Sequence, residues 1–171
     1  ANYIFQGILK TTDNTYKIGA SYMDDDVAEK FQLFKFYRRE QVAGAFAELA
    51  INRKEKFNMI AGFRADYHNF YGVFYTPRLQ LRYAFTPNSV LRFSGGRALR
   101  TANIFADNAY LMASARQWIL SPSDLAMPYG LKPEIGWNYG LNFTQRFKIN
   151  YREAYITIDA YRTDFENQVV I

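Results

Sequence analysis

Between Pro77 and Arg97 apolar and polar side chains alternate with a period of two on both sides of a short break. Leu79, Leu81, Tyr83 and Phe85 fall on one side of the first arm and Arg78, Gln80 and Arg82 on the other, while Leu91 and Phe93 oppose Arg92 and Ser94 beyond Thr86-Pro87-Asn88. That pattern predicts a β-hairpin with one apolar and one polar face. The same alternation recurs along the chain. Tyr3, Phe5 and Leu9 oppose Asn2, Gln6 and Lys10; Tyr16, Ile18, Ala20 and Tyr22 oppose Lys17, Gly19 and Ser21. From Gln41 to Ile51 the pattern is less clean, with Glu48 polar, Leu49 and Ile51 apolar, and Phe46 on the wrong side. Phe57 to His68 and Glu134 to Phe147 are regular, and a last strand starts near Ile156, for a total of about eight. The run Asp24-Asp25-Asp26 is expected to open a connection reaching about Arg38. Asn69 to Tyr75 reads as a loop, and the longest connection runs from Arg97 to about Lys132. Within it Ala109 to Leu120 lacks alternation and predicts a helix, either covering a mouth or packed down by Trp118 and Leu120.

Period alone fits a soluble sheet and a membrane barrel equally, so other regularities must separate them. Connections alternate in length: short near residues 12, 54, 87 and 150, long near 30, 72 and 115. Short turns at one rim and long loops at the other characterise up-and-down outer-membrane barrels. Phe57 and Tyr67, and likewise Trp137 and Phe147, bracket an apolar face ten residues apart. At about 3.3 Å per residue and a tilt of about 40°, that separation rises roughly 25 Å, the height of a lipid-facing band between two aromatic girdles. The expected fold is therefore all-β: antiparallel, up-and-down transmembrane β-barrel strands. A complete small barrel with a structural or adhesive role, a soluble all-β binding module and an outer-membrane hydrolase are the competing readings.

Composition agrees without choosing among them. The 171 residues are 49% hydrophobic and 18% aromatic, with no cysteine, which removes disulfides, cysteine-ligated zinc and thiol catalysis. No apolar run is long enough for a transmembrane helix. The net charge of +5 is spread over alternate strand positions with no nucleic-acid motif, so nucleic acid is not an expected partner. Both ends read as extended strand without a signal segment, which suggests a fragment.

At Leu91 to Asn108, LRFSGGRALRTANIFADN, the chain resembles a barrel strand and following loop of TonB-dependent receptors. Gly62-Phe63-Arg64-Ala65-Asp66-Tyr67, Leu131-Lys132-Pro133-Glu134 with Trp137 to Asn142, and Tyr161 to Gln168 are similar to further strands of that family, particularly its Bacteroidetes-type members. The resemblance implies a barrel of about 22 strands, of which this chain, residues 1–171, would be part. It also implies a plug domain and TonB contacts supplied elsewhere, a Gram-negative outer membrane, and import of a ferric siderophore, cobalamin, haem or oligosaccharide. The partners expected on that basis are lipid, the plug and remaining strands, the TonB complex through the parent chain, and the nutrient.

Candidate sites follow from position. Arg97, Arg100 and Asn103 lie where the long loop leaves the barrel and are the expected ligand contacts. Arg64, Asp66, Arg78, Arg82 and Arg92 share the polar face, where they could hold a plug or an anion but more simply pair across strands. The three aspartates 24–26 point in different directions and are expected to be solvated rather than to bind a cation, and the single His68 is expected at the rim. Ser94 lacks a nucleophile elbow and a placeable histidine, so no catalytic residue, metal or cofactor is expected and the protein reads as a transporter part, not an enzyme.

Overall fold

The computed structural model describes residues 1–31, 34–54, 56–108, 110 and 127–168. Its strands are β1 (Asn2–Lys10), β2 (Asn14–Phe31), β3 (Phe34–Arg53), β4 (Phe57–His68), β5 (Gly72–Tyr75), β6 (Arg78–Thr86), β7 (Ser89–Arg100), β8 (Glu134–Ile149) and β9 (Arg152–Asn167), with a one-turn helix α1 (Ile104–Asp107) after β7. They form one antiparallel sheet in the order β1-β2-β3-β4-β6-β7-β8-β9, with β5 paired to β4. Sequential neighbours are spatial neighbours throughout, as an up-and-down barrel wall requires. β1 and β9 are the two edges of an open sheet, so the described residues do not close into a small barrel of their own.

The short turns form as the pattern predicts. Asn150 and Tyr151 both have positive φ (48° and 65°), the conformation of a two-residue turn whose twist matches that of the flanking strands. In the β6–β7 turn the Asn88 amide donates to Thr86 Oγ1 at 3.2 Å. β5 and β6 pair with the upper and lower halves of β4 respectively, as one strand interrupted at Thr76-Pro77. Pro77 has no N–H to give a ladder, and its carbonyl instead accepts from Arg97 at 3.0 Å.

One expectation fails clearly. Asp24 to Arg38 is not a connection: β2 and β3 continue pairing, with Asp24 opposite Gln41, Asp26 opposite Arg39, and Phe31 opposite Phe34. Aspartate is a poor strand former on its own. Here Arg39 donates to Asp24 from Nε at 2.8 Å and Nη2 at 2.6 Å, and Tyr37 Oη donates to Asp26 at 2.9 Å, so cross-strand pairing outweighs local preference. The loop expected at 69–75 likewise contains β5. Most of the helix expected over 109–120, with Trp118 and Leu120, lies outside the described residues; the described helix is α1, just upstream.

The apolar face is uncovered. Tyr3, Phe5, Ile18, Phe63, Tyr67 and Ile158 are all more than half exposed, from 52% to 75%. Among the described residues buried apolar side chains are few, and the cluster they form, Ile104, Phe105 and Tyr129, lies beyond the ends of β7 and β8 rather than beneath the sheet. A sheet whose described residues include no second layer over it and leave its apolar face exposed has the form of a membrane wall.

Candidate functional site

The polar face is organised as rows of side chains across neighbouring strands. Glu48 is flanked by Lys17 (Nζ–Oε1 3.0 Å) and by the Arg78 guanidinium, which reaches it across β4. The register places Gly62 between Glu48 and Arg78, and a Cβ there would meet Arg78 Nε at 2.7 Å. Arg78 can lie flat only because the intervening residue has no side chain. Higher up, Arg64 holds the buried Asp66 through Nε at 2.6 Å and Nη2 at 2.5 Å and also donates to Ser21 Oγ at 2.7 Å, all above Gly44. Gly19 makes room for the Phe46 ring, whose Cζ lies 2.5 Å from where its Cβ would be. The residue that broke the β3 pattern is thus a polar-face aromatic seated on a glycine. Lower down, Arg82 and Arg92 are directly opposite in register; Arg92 donates to Asn142 Oδ1 at 2.9 Å, and Asn142 donates to Asp159 at 2.7 Å.

This face bounds a recess of about 1060 Å³ that runs from the Glu48–Arg78 row to the upper strand ends, where its lining includes Asp25, Glu29, Arg38, His68, Arg100 and Asn103. Arg38 is the hub of its wall. Its Nε donates to Glu40 at 2.7 Å and its Nη1 to Glu29 at 3.3 Å and to Tyr129 Oη at 2.7 Å, while Nη2 binds Asn103 Oδ1. The guanidinium also lies over the Tyr129 ring, 5.4 Å from its centroid. Phe36, Phe105 and Tyr129 pack with centroids 5.2 to 5.9 Å apart. His68 is 3% exposed; its Nδ1 accepts the Phe70 amide at 3.2 Å, which puts its proton on Nε2, 3.8 Å from Glu40. On the outer side of the same hairpin, Arg39 holds the Asp24 carboxyl down to about 2, and the hydrogen bond to Asp26 pushes the Tyr37 hydroxyl up.

Arg64, Asp66, Arg78, Arg82 and Arg92 all fall on the polar face; Arg78 pairs with Glu48 two strands away, whereas Arg64 and Asp66 pair along a single strand, β4. Arg97, Arg100 and Asn103 all border the recess, but their side chains do not converge. Arg100 and Asn103 line the rim, Arg100 bound to Glu134 (2.5 Å) and Asp107 (3.1 Å) and Asn103 to Arg38. Arg97 stands one step out of phase, opposite Trp137 on the apolar face; it donates to the Tyr75 carbonyl at 2.9 Å and pairs with Glu166 at 3.6 Å. Of the three aspartates, 24 and 26 face Arg39 and Tyr37 whereas Asp25 faces the recess, so they do not converge. Ser94 Oγ lies over Gly140 on β8, while His68 is enclosed by Glu40, Phe70 and Tyr71 at the rim.

Sequence reading missed Phe36, Arg38, Glu40, Tyr129 and Glu134 because it placed the first two in a connection and the others in or beside loops. A signal was present, since Phe36, Arg38 and Glu40 alternate with Tyr37, Arg39 and Gln41.

The chain resembles solved siderophore receptors in fold. A variant of the ferric enterobactin receptor PfeA from Pseudomonas aeruginosa superposes with a TM-score of 0.68 at 16% identity, covering 98% of this chain and 26% of that one. The siderophore receptor PirA from the same organism gives 0.64 at 18% identity, covering 99% and 32%, and PirA from Acinetobacter baumannii 0.65 at 14%, covering 98% and 26%. The chain therefore spans about a quarter to a third of the receptors it resembles. No curated protein sequence matches it. The family model "TonB dependent receptor-like, beta-barrel" matches residues 2–171, the chain almost entire, and the chain belongs to that family.

Proposed function

We propose that this chain forms part of the wall and outer rim of a TonB-dependent receptor that imports a scarce nutrient across a Gram-negative outer membrane. The observation that carries the reading is the match of the barrel family model along residues 2–171. The two-faced sheet supports it: the exposed apolar face meets lipid, and the polar face, neutralised largely by its own ion pairs, meets the interior and the plug domain. The remaining strands, the plug and the TonB-contacting segment belong to the rest of the receptor. The short turns at Asn150-Tyr151 and Thr86 to Ser89 then lie on the periplasmic side and the recess around Arg38 on the extracellular side.

A ferric siderophore is the ligand class we favour, because the solved receptors of similar fold are named for siderophores. All three residues border the recess, and Arg100 and Asn103 are the proposed contacts because the Arg97 side chain is committed to Tyr75 and Glu166 on the other face. The test is growth of the source cells on single iron sources with the receptor gene deleted and with TonB removed. Loss of growth on one ferric siderophore in both strains supports the reading. Undiminished growth on every ferric siderophore, with lost uptake of cobalamin, haem or an oligosaccharide, transfers the assignment to that nutrient. Recovery of the protein outside the outer-membrane fraction would refute import altogether.

A further inference from the structure

We infer that Arg38 is a positioning residue that fastens the connection between β7 and β8 onto the β2–β3 hairpin, so that two outer loops distant in sequence present to ligand as one body. The buried apolar cluster of the described residues lies at this junction, not under the sheet: Ile104 and Phe105 from α1 and Tyr129 from beyond it, packed against Phe36 of β3. Burial of that cluster is non-directional and would tolerate sliding of the loop. Arg38 fixes its position. All three guanidinium nitrogens are used, by Glu40 and Glu29 on the hairpin and by Tyr129 and Asn103 on the loop, so the planar fork is clamped from below and grips both stems of the loop from above. A lysine could not make four such contacts in two directions. The bond to Arg38 engages the side-chain oxygen of Asn103, itself a lining residue of the recess and a proposed contact.

The inference places these loops outside the membrane and so rests on the receptor reading, but its test does not depend on any ligand. Amide hydrogen exchange is measured on the full receptor in detergent for wild type and for Arg38→Ala, Tyr129→Phe and Arg39→Ala. The reporting amides are Asp107, bonded to the Asn103 carbonyl at 2.8 Å, and Leu131, bonded to Pro128 at 3.0 Å. Arg38→Ala should speed exchange at both by about tenfold or more while the barrel melting temperature stays put. Tyr129→Phe, which keeps the ring and loses one hydrogen bond, should speed it by a smaller factor. Arg39→Ala, which breaks the Asp24 pair on the outer side of the hairpin, should leave both amides unchanged. Unchanged exchange in Arg38→Ala, or equal acceleration in Arg39→Ala, overturns the inference. Should Arg38→Ala fail to insert, Tyr129→Phe decides alone, and no acceleration there is equally fatal. Normal uptake failing to occur in any background would sink the receptor reading and leave the exchange result intact.

Discussion

Gly44→Ala should be among the most damaging small substitutions in this chain. A methyl group on Gly44 would occupy the space taken by Asp66 Oδ1, and Arg64 Nη2 lies only 2.9 Å from the same point. The Asp66 side chain, 3% exposed, cannot swing to water, so it must abandon one or both bonds to Arg64. A charge-assisted hydrogen bond contributes about 1.5–3 kcal/mol, and an uncompensated buried carboxylate costs more. Arg64 is 36% exposed and regains solvent when released, which offsets part of the loss. A net cost of about 2–3 kcal/mol follows. The assay is urea unfolding of the full receptor in micelles, arranged as a double-mutant cycle with Asp66→Ala. Asp66→Ala alone should be destabilising, but on that background Gly44→Ala should cost less than about 1 kcal/mol, because the clashing oxygen is gone. Gly7→Ala is the control, since nothing lies within 4 Å of its added Cβ. Equal cost of Gly44→Ala with and without the Asp66 carboxylate would refute the steric argument and assign the loss to backbone effects.

Glu48→Gln should destabilise by about 1–3 kcal/mol, because Lys17 and Arg78 would then face each other without an anion; adding Arg78→Gln should recover part of this, and a purely additive double mutant would deny the network. Tyr151→Gly should stabilise by about 1 kcal/mol, since Tyr151 is fully exposed at a φ of 65° that only glycine adopts without strain, whereas Tyr151→Val should cost about as much; equal stabilities of the two variants would contradict it. Asp24 has its folded carboxyl pKa lowered to about 2 from 3.8, so its pairing with Arg39 favours the hairpin above the ordinary value and is lost as pH falls through about 2. A carbon-13 carboxyl titration should put its midpoint near 2 and raise it in Arg39→Gln; a midpoint near 3.8 in the wild type would show that the pair does not form in solution.

Where side-chain identity and period agree, the chain could be read directly. β4, β6, β7 and β8 lie where Phe57 to His68, Leu79 to Phe85, Leu91 to Arg97 and Glu134 to Phe147 alternate, and each polar-face residue named from sequence occupies that face. Phase separates the side chains of Arg97 and Arg100: they differ by an odd number of residues, and in a strand that means opposite faces. The outer half of the β2–β3 hairpin was illegible for another reason. Its stability comes from pairs such as Asp24 with Arg39 and Glu29 with Arg38, nine to fifteen residues apart, which local composition does not reveal. The Arg38 hub is further off still, since Asn103 and Tyr129 are 65 and 91 residues away.

The glycines explain how so many charges fit on one face without lining up as repulsive rows. In an antiparallel sheet directly opposed polar-face residues have Cβ atoms about 5 Å apart, and long side chains standing upright would meet their immediate neighbours first. Gly62 removes the immediate neighbour between Arg78 and Glu48, and Gly44 the one between Ser21 and the Arg64–Asp66 pair; each lets a guanidinium lie along the sheet and bond two strands away. Gly140 likewise leaves room between Ser94 and Tyr161, whose hydroxyl and ring respectively lie over it. A wall made this way is flat, since its longest side chains are folded down, and its charges are satisfied before any ligand arrives. On such a surface the guanidiniums of Arg64 and Arg78 are held down by Asp66 and Glu48, and the same recess runs on to Arg38, Arg100 and Asn103 where the strands end.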